Sequence, residues 1–225
     1  MLTYALSLDL IHHNPALAIK PVSIGITSNV KTRVLTDVEI ALFWGLLDNN
    51  KSVVTRIALQ VLMLTGLRSG ELRQLTWNHV DEANLTITIP VEHQKLTLAQ
   101  RANNKDFVVP VSTFTMGLLF QLKGLHPTYV FAGKSNSCIT DKVLGHYVRR
   151  VLLRPTVDLN HFTPHDLRRT FRTNLSKLKV ELSIAERCLN HSLGRIIQTY
   201  EQYDFLDERR AALRNYSDYI QSIIS

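Results

Sequence analysis

With 225 residues and 45% hydrophobic content, the chain can bury the core of one sizeable domain, which excludes a disordered segment. Two cysteines, Cys138 and Cys188, in no C-x-x-C or zinc-like spacing exclude a disulfide framework, and no run reaches the roughly eighteen apolar residues of a membrane span. A formal net charge of +7 favours an acidic polymer as partner without separating nucleic acid from an anionic membrane.

The opening LTYALSLDLIHHNPALAIK predicts one short helix stopped near Asn14-Pro15, because the residue before a proline is pushed out of the helical region. It lacks a basic n-region and a small-residue cleavage site, so an unexported, cytoplasmic protein is expected. Pro21 to Arg33 keeps no sustained period and reads as a linker. The expected organisation is therefore residues 1–20, a linker at 21–34, and a main domain at 35–225 opened by the capping box Thr36-Asp-Val-Glu39.

Val53 to Leu64 is apolar at nearly every position, which predicts a helix buried on most sides and ended by Gly66. Arg68 follows that end, and Ser69 is the expected cap of a next short helix whose Leu72 and Leu75 face inward. Leu85 to Ile89 alternates strictly and Phe107 to Val111 is strand-like, predicting a small antiparallel sheet whose long loop carries Lys95, Arg101 and Lys105. A helix from Thr140 keeps Val143, Leu144, Tyr147, Val148, Val151 and Leu152 in period, with Arg149 and Arg150 on its wet face.

Thr163-Pro164-His165-Asp166 is a strong helix start, and it makes His165 and Arg168 neighbours on one face near a positive N-terminus. Ser183-Ile-Ala-Glu186 reads as another capping box, on the helix leading to His191. Leu206, Leu213, Tyr216, Ile220 and Ile223 form the stripe of a last amphipathic helix, which packs either on its own domain or on a neighbouring protomer. The fold class is mainly α with a small antiparallel β-sheet.

Chemically, Arg68, Lys95, His165, Arg168, His191 and Tyr200 form, in order, a set suited to attack on a phosphodiester by a tyrosine. Two guanidinium forks, Arg68 and Arg168, answer the charge that builds on the phosphate oxygens. A phenol of pKa about 10 needs help from nearby cations or a base, which His165 and His191 could supply. Lys95 could protonate the departing oxygen as general acid, with Lys105 as the alternative. The scheme requires no metal and no cofactor. His161 and His165 are four apart like a metal pair, but Pro164 between them and the lack of a third ligand argue against zinc.

LTGLRSGEL (64–72), TPHDLRRTF (163–171), ERCLNH (186–191) and QTYEQY (198–203) resemble the successive boxes of the tyrosine recombinase, or phage integrase, family. The resemblance covers roughly residues 36–225. It is closest to integrases of satellite phages and genomic islands, which share the I-P-x-E-x-x-K pattern of Ile89 to Lys95 and the tail LDERRAALR (206–214).

The resemblance implies a tyrosine recombinase-like catalytic domain that cuts and rejoins double-stranded DNA through a 3′-phosphotyrosine, integrating or excising a mobile element, and that works as a homo-oligomer, a tetramer on paired sites. By it Arg68, His165 and Arg168 activate the phosphate, Lys95 is the acid, His191 the second histidine, Glu71 a supporting acid and Tyr200 the nucleophile. Tyr200 lies at the family spacing from His191, and Tyr203 lies three residues too far. Residues 1–20 then correspond to the last helix of an N-terminal core-binding domain. The alternatives are a truncated DNA-binding remnant and a topoisomerase-like enzyme. Arg101, Lys105, Arg149 and Arg150 are expected to contact the DNA backbone, and Arg209 and Arg210 to pair locally with Asp207 and Glu208.

Overall fold

The structure, a computed structural model, describes residues 2–18, 33–48, 52–96, 101, 105–134, 136–191 and 203–225. Two compact units divide it, Met1–Thr32 and Arg33–Ser225. In the first, helix α1 covers Leu2–Ser7 and ends well before Asn14-Pro15. Asp9 takes a left-handed φ of 54°, its N–H donates to Leu6 O at 3.2 Å, and the Leu10 N–H donates to Ala5 O at 3.0 Å. These are the paired bonds of a Schellman stop. Asn14 Oδ1 then accepts from the Ala16 N–H at 3.0 Å, and Pro15–Ala18 make a 3-10 turn. The proline opens a second turn instead of ending the first helix.

In the second unit, α2 (Asp37–Asp48) begins with the expected capping box. The Thr36 N–H donates to Glu39 Oε2 at 2.9 Å, and the Glu39 N–H donates to Thr36 Oγ1 at 3.3 Å. Helix α3 (Val53–Thr65) is buried along almost its whole length because other elements cover it on every side: α2, α5 (Thr113–Phe120), α6 (Asp141–Leu152), α7 (Pro164–Lys177) and α9 (Leu206–Ile224). Between these lie the short α4 (Ser69–Arg73) and α8 (Leu182–Cys188).

Strands β1 (Val80–Asp81), β2 (Thr86–Ile89) and β3 (Phe107–Pro110) form an antiparallel sheet in that order. Ile87 stands opposite Val109 and Ile89 opposite Phe107, so the period of two puts one apolar face on the core. With its mainly helical body and small sheet, the fold is the class that the sequence pattern predicts.

Helix α9 buries Leu213, Tyr216 and Ile220 against α2, α3 and α8 of its own unit. Its apolar stripe is covered within the chain. Arg209 is 1% exposed. It donates to Val108 O at 2.9 Å and to Asp204 Oδ2 at 3.0 Å, over the Phe107 ring. Arg210 donates to Asn84 O at 2.9 Å. Because α9 lies along β3, both arginines reach towards the sheet region, and the expected local pairing with Asp207 and Glu208 is not what holds them.

Candidate active site

Gly66 is the first fixed point. Its φ of 63° ends α3, its N–H donates to Leu62 O, and a Cβ there would stand 2.4 Å from the Phe171 ring. Only glycine meets both demands. The turn delivers Arg68 to the N-cap of α4, the place that the sequence reading gave to Ser69. An arginine has no acceptor with which to cap a helix, so the capping is reversed. The buried Glu71 carboxylate accepts from the Arg68 N–H at 3.0 Å and from Arg68 Nη1 at 2.7 Å.

Thr163 caps α7 as expected. Its N–H and Oγ1 donate to Asp166 Oδ2 at 2.8 and 2.7 Å, with Pro164 in the first turn. Burial works to raise the Asp166 carboxyl, but the bonds from Thr163 and Arg169 outweigh it and hold the group below its ordinary range. His165 follows, exposed at the helix start. Partial desolvation, then Arg169, Arg168 and Arg68, lower its proton affinity against the opposing pull of Asp166, so the imidazole is neutral at pH 7.

Arg168 projects from the same helix and is 4% exposed. Nη1 donates to Gly66 O at 2.6 Å, and Nη2 donates to Leu189 O at 2.5 Å and to His191 Nε2 at 2.9 Å. Two helix-end carbonyls thus aim the guanidinium. Burial first, then the nearby Arg68, lower its pKa to about 10, which still leaves it charged at neutral pH.

His191 stands just past α8. The Asn190 N–H donates to Arg187 O and the His191 N–H to Glu186 O, a Schellman arrangement with Asn190 at a φ of 52°. Arg168 can only donate, so His191 Nε2 is the acceptor and the ring hydrogen sits on Nδ1. Nδ1 faces Glu186 Oε2 at 2.5 Å. Glu186 Oε1 accepts from Arg172 Nε at 2.6 Å; burial works to raise its carboxyl, but the bonds from Arg172 and His191 outweigh it and hold the group low. Glu186 therefore orients His191, and the expected capping box with Ser183 is absent. The cap of α8 is Glu181.

An open pocket of about 330 Å³ gathers Arg68, Glu71, His93, Lys95, His165 and Arg168 among its walls. A family model described as the phage integrase family matches residues 33–206. The chain belongs to the phage integrase family. The prophage integrase IntZ of Escherichia coli (strain K12) is 32% identical over 191 residues, covering 83% of this chain and 44% of IntZ. The chain thus spans less than half the length of that relative. In structure it is similar to the integrase from mycobacterium phage Brujita, with a TM-score of 0.62 at 18% identity, covering 100% of this chain and 73% of that one. It also resembles the Tn1549 transposon integrase in complex with circular intermediate DNA, with a TM-score of 0.61 at 19% identity, covering 93% and 73%. At these identities the likeness shows the shared fold of tyrosine recombinase catalytic domains.

In this integrase-family chain, five of the sequence-derived residues, Arg68, Glu71, Lys95, His165 and Arg168, line one pocket, and His191 joins them through Arg168. Tyr200 lies outside the described residues. Tyr203 is exposed, and its acidic neighbours, Glu208 first and then Asp207 and Asp204, together with slight desolvation, raise its pKa, which disfavours the phenolate. Lys95 lines the pocket, whereas Lys105 is placed by its main chain, whose carbonyl accepts from Gln94. Arg101, Arg149 and Arg150 are exposed, and Arg150 lies over the Tyr147 ring at 5.6 Å. Cys188 is buried, and desolvation pushes its thiol up to about 12, which excludes a thiolate nucleophile there. Sequence reasoning missed His93, Gln94 and the orienting role of Glu186. Only the Glu186-to-His191 spacing across a helix end carried a signal in the sequence.

Proposed function

We propose that the chain is the catalytic part of a site-specific DNA recombinase that cuts and rejoins strands through a 3′-phosphotyrosine at Tyr200. Arg168 carries this reading, as a buried guanidinium anchored at Gly66, Leu189 and His191, with Arg68 beside it at the start of α4. Such preorganised positive charge is what a phosphoryl-transfer transition state needs. The N-terminus of α7 adds a partial positive charge at His165.

In the proposed step, neutral His165 takes the phenol proton of Tyr200. The phenolate attacks phosphorus, the bond to the 5′-oxygen breaks with its electron pair on oxygen, and Lys95 protonates that oxygen. Arg68 and Arg168 hold the non-bridging oxygens, and His191 helps to fix the Arg168 guanidinium. The new phosphodiester keeps the bond energy, so a second 5′-hydroxyl reverses the step without ATP.

The Tn1549 integrase has been seen with circular intermediate DNA, and a lambda integrase dimer bound to a core site. By analogy the partner here is double-stranded DNA and the working state a homo-oligomer, a tetramer on paired sites, in the cytoplasm. Residues 1–20 are read as the last helix of a core-binding domain, 21–34 as a linker and 35–225 as the catalytic domain. Lys105, Arg101, Arg149 and Arg150 contribute backbone contacts, and Glu71 supports Arg68. Among the described residues no helix is long and apolar enough to cross a membrane.

The test is to incubate the protein with nicked duplexes tiling the DNA on either side of its gene and to resolve the products on a denaturing gel. A covalent protein–DNA adduct that disappears in Arg168→Ala is expected. No adduct on any duplex, or an adduct retained in Arg168→Ala, contradicts the reading.

A further inference from the structure

Gln94 is 2% exposed and bonds through both atoms of its side-chain amide. Nε2 donates to Ile89 O, at the end of β2, and to Lys105 O, just before β3, both at 3.0 Å. Oε1 accepts from Asn190 Nδ2, also at 3.0 Å. The first two bonds close the neck of the long hairpin loop. The third ties that neck to the left-handed residue that sets His191 in place. A buried amide with both N–H groups and its oxygen bonded is stiff, because breaking any one bond leaves a desolvated polar group.

Lys95 is the next residue. We infer that Gln94 is a positioning residue that holds the Lys95 ammonium at the pocket and couples its place to the His191 end of α8. The inference rests on the reading of Lys95 as the general acid. Nothing in local sequence marks Gln94, since its partner lies 96 residues away. The need for such a clamp is physical. Lysine is a single charge on a flexible stem, and here it stands exposed on a loop, so its aim depends on the backbone that carries it.

Two variants and two substrates test the inference. Gln94→Met keeps length and volume and removes all three bonds. Asn190→Gly keeps the left-handed turn, which glycine adopts freely, and removes only the link to Gln94. The substrates are the nicked duplex cleaved by the wild type and the same duplex with sulfur replacing the bridging 5′-oxygen. A thiol is far more acidic than an alcohol, about 8.5 for a cysteine side chain, so a thiolate leaves without being protonated and the sulfur substrate bypasses the general acid.

On the oxygen substrate Gln94→Met is expected to slow adduct formation about tenfold or more, within the range general acid catalysis supplies, and Asn190→Gly to slow it less. On the sulfur substrate both should approach the wild-type rate. Equal slowing on both substrates, or a wild-type rate on oxygen for either variant, overturns the inference. A wild type that forms no adduct on any of the tiled duplexes overturns the recombinase reading instead, and the inference falls with it.

Discussion

Glu71 holds Arg68 twice, at its backbone N–H and at Nη1, so one buried carboxylate sets both where the residue enters α4 and where its guanidinium points. It also supplies negative charge beside Arg68 and Arg168, and it favours the charged form of Arg168 against the repulsion from Arg68. Glu71→Gln keeps the shape and removes the charge. Unfolding free energy should fall by about 1–3 kcal/mol, read by urea titration, and the adduct rate should fall with it. An unchanged midpoint and rate would show that the pair is incidental.

Gly66 is required by conformation and by space together. Gly66→Ala places a methyl in the Phe171 ring and forces a non-glycine residue to a positive φ. Overpacking costs about 1–3 kcal/mol and the strained backbone about 1–3 more, so a thermal scan should show clear destabilisation. Gly66→Ala should cost less in a Phe171→Leu background than in the wild type if the clash is real. An equal cost in both backgrounds would locate it in the backbone alone.

His191 should carry its hydrogen on Nδ1 at pH 8 in the free protein, because Arg168 can only donate to Nε2 and Glu186 waits at Nδ1. Nitrogen chemical shifts of the labelled ring read this directly. In Glu186→Gln the ring loses its anionic partner and a mixture of tautomers is expected. A hydrogen on Nε2 in the wild type would break the proposed link between Arg168 and His191.

Asp166 and Glu186 both have carboxyls held below their ordinary range in the folded state. A depressed folded pKa means that the unfolded chain binds protons first. Their stabilisation is therefore complete above the unfolded value, about 4, and is lost as pH falls through the folded value. Asp166→Asn should destabilise the protein at pH 7 and make little difference at the lowest pH at which the wild type stays folded. Urea midpoints across that range check it, and a gap that widens on acidification would contradict the sign.

What the sequence disclosed follows the range of each interaction. The capping boxes at Thr36–Glu39 and Thr163–Asp166 close within three residues, so their residue types announce them. At Arg68 the same local rule misleads, since Ser69 is the better cap by propensity, but Glu71 takes over that function from inside the helix. Arg209 and Gln94 look ordinary in the sequence because their decisive partners lie 101 and 96 residues away. Glu186 was misread for a related reason. Its distance from Ser183 satisfies a capping pattern, yet Arg172 and His191 offer the carboxylate two stronger donors.

The nucleophile is the centre of the account, and mass spectrometry of the adduct identifies it. After the trapped protein–DNA complex is digested with protease and nuclease, the peptide holding Tyr200 and Tyr203 should carry one nucleotide on Tyr200, and Tyr200→Phe should form no adduct. A nucleotide on Tyr203, or an adduct that survives Tyr200→Phe, would contradict the assignment.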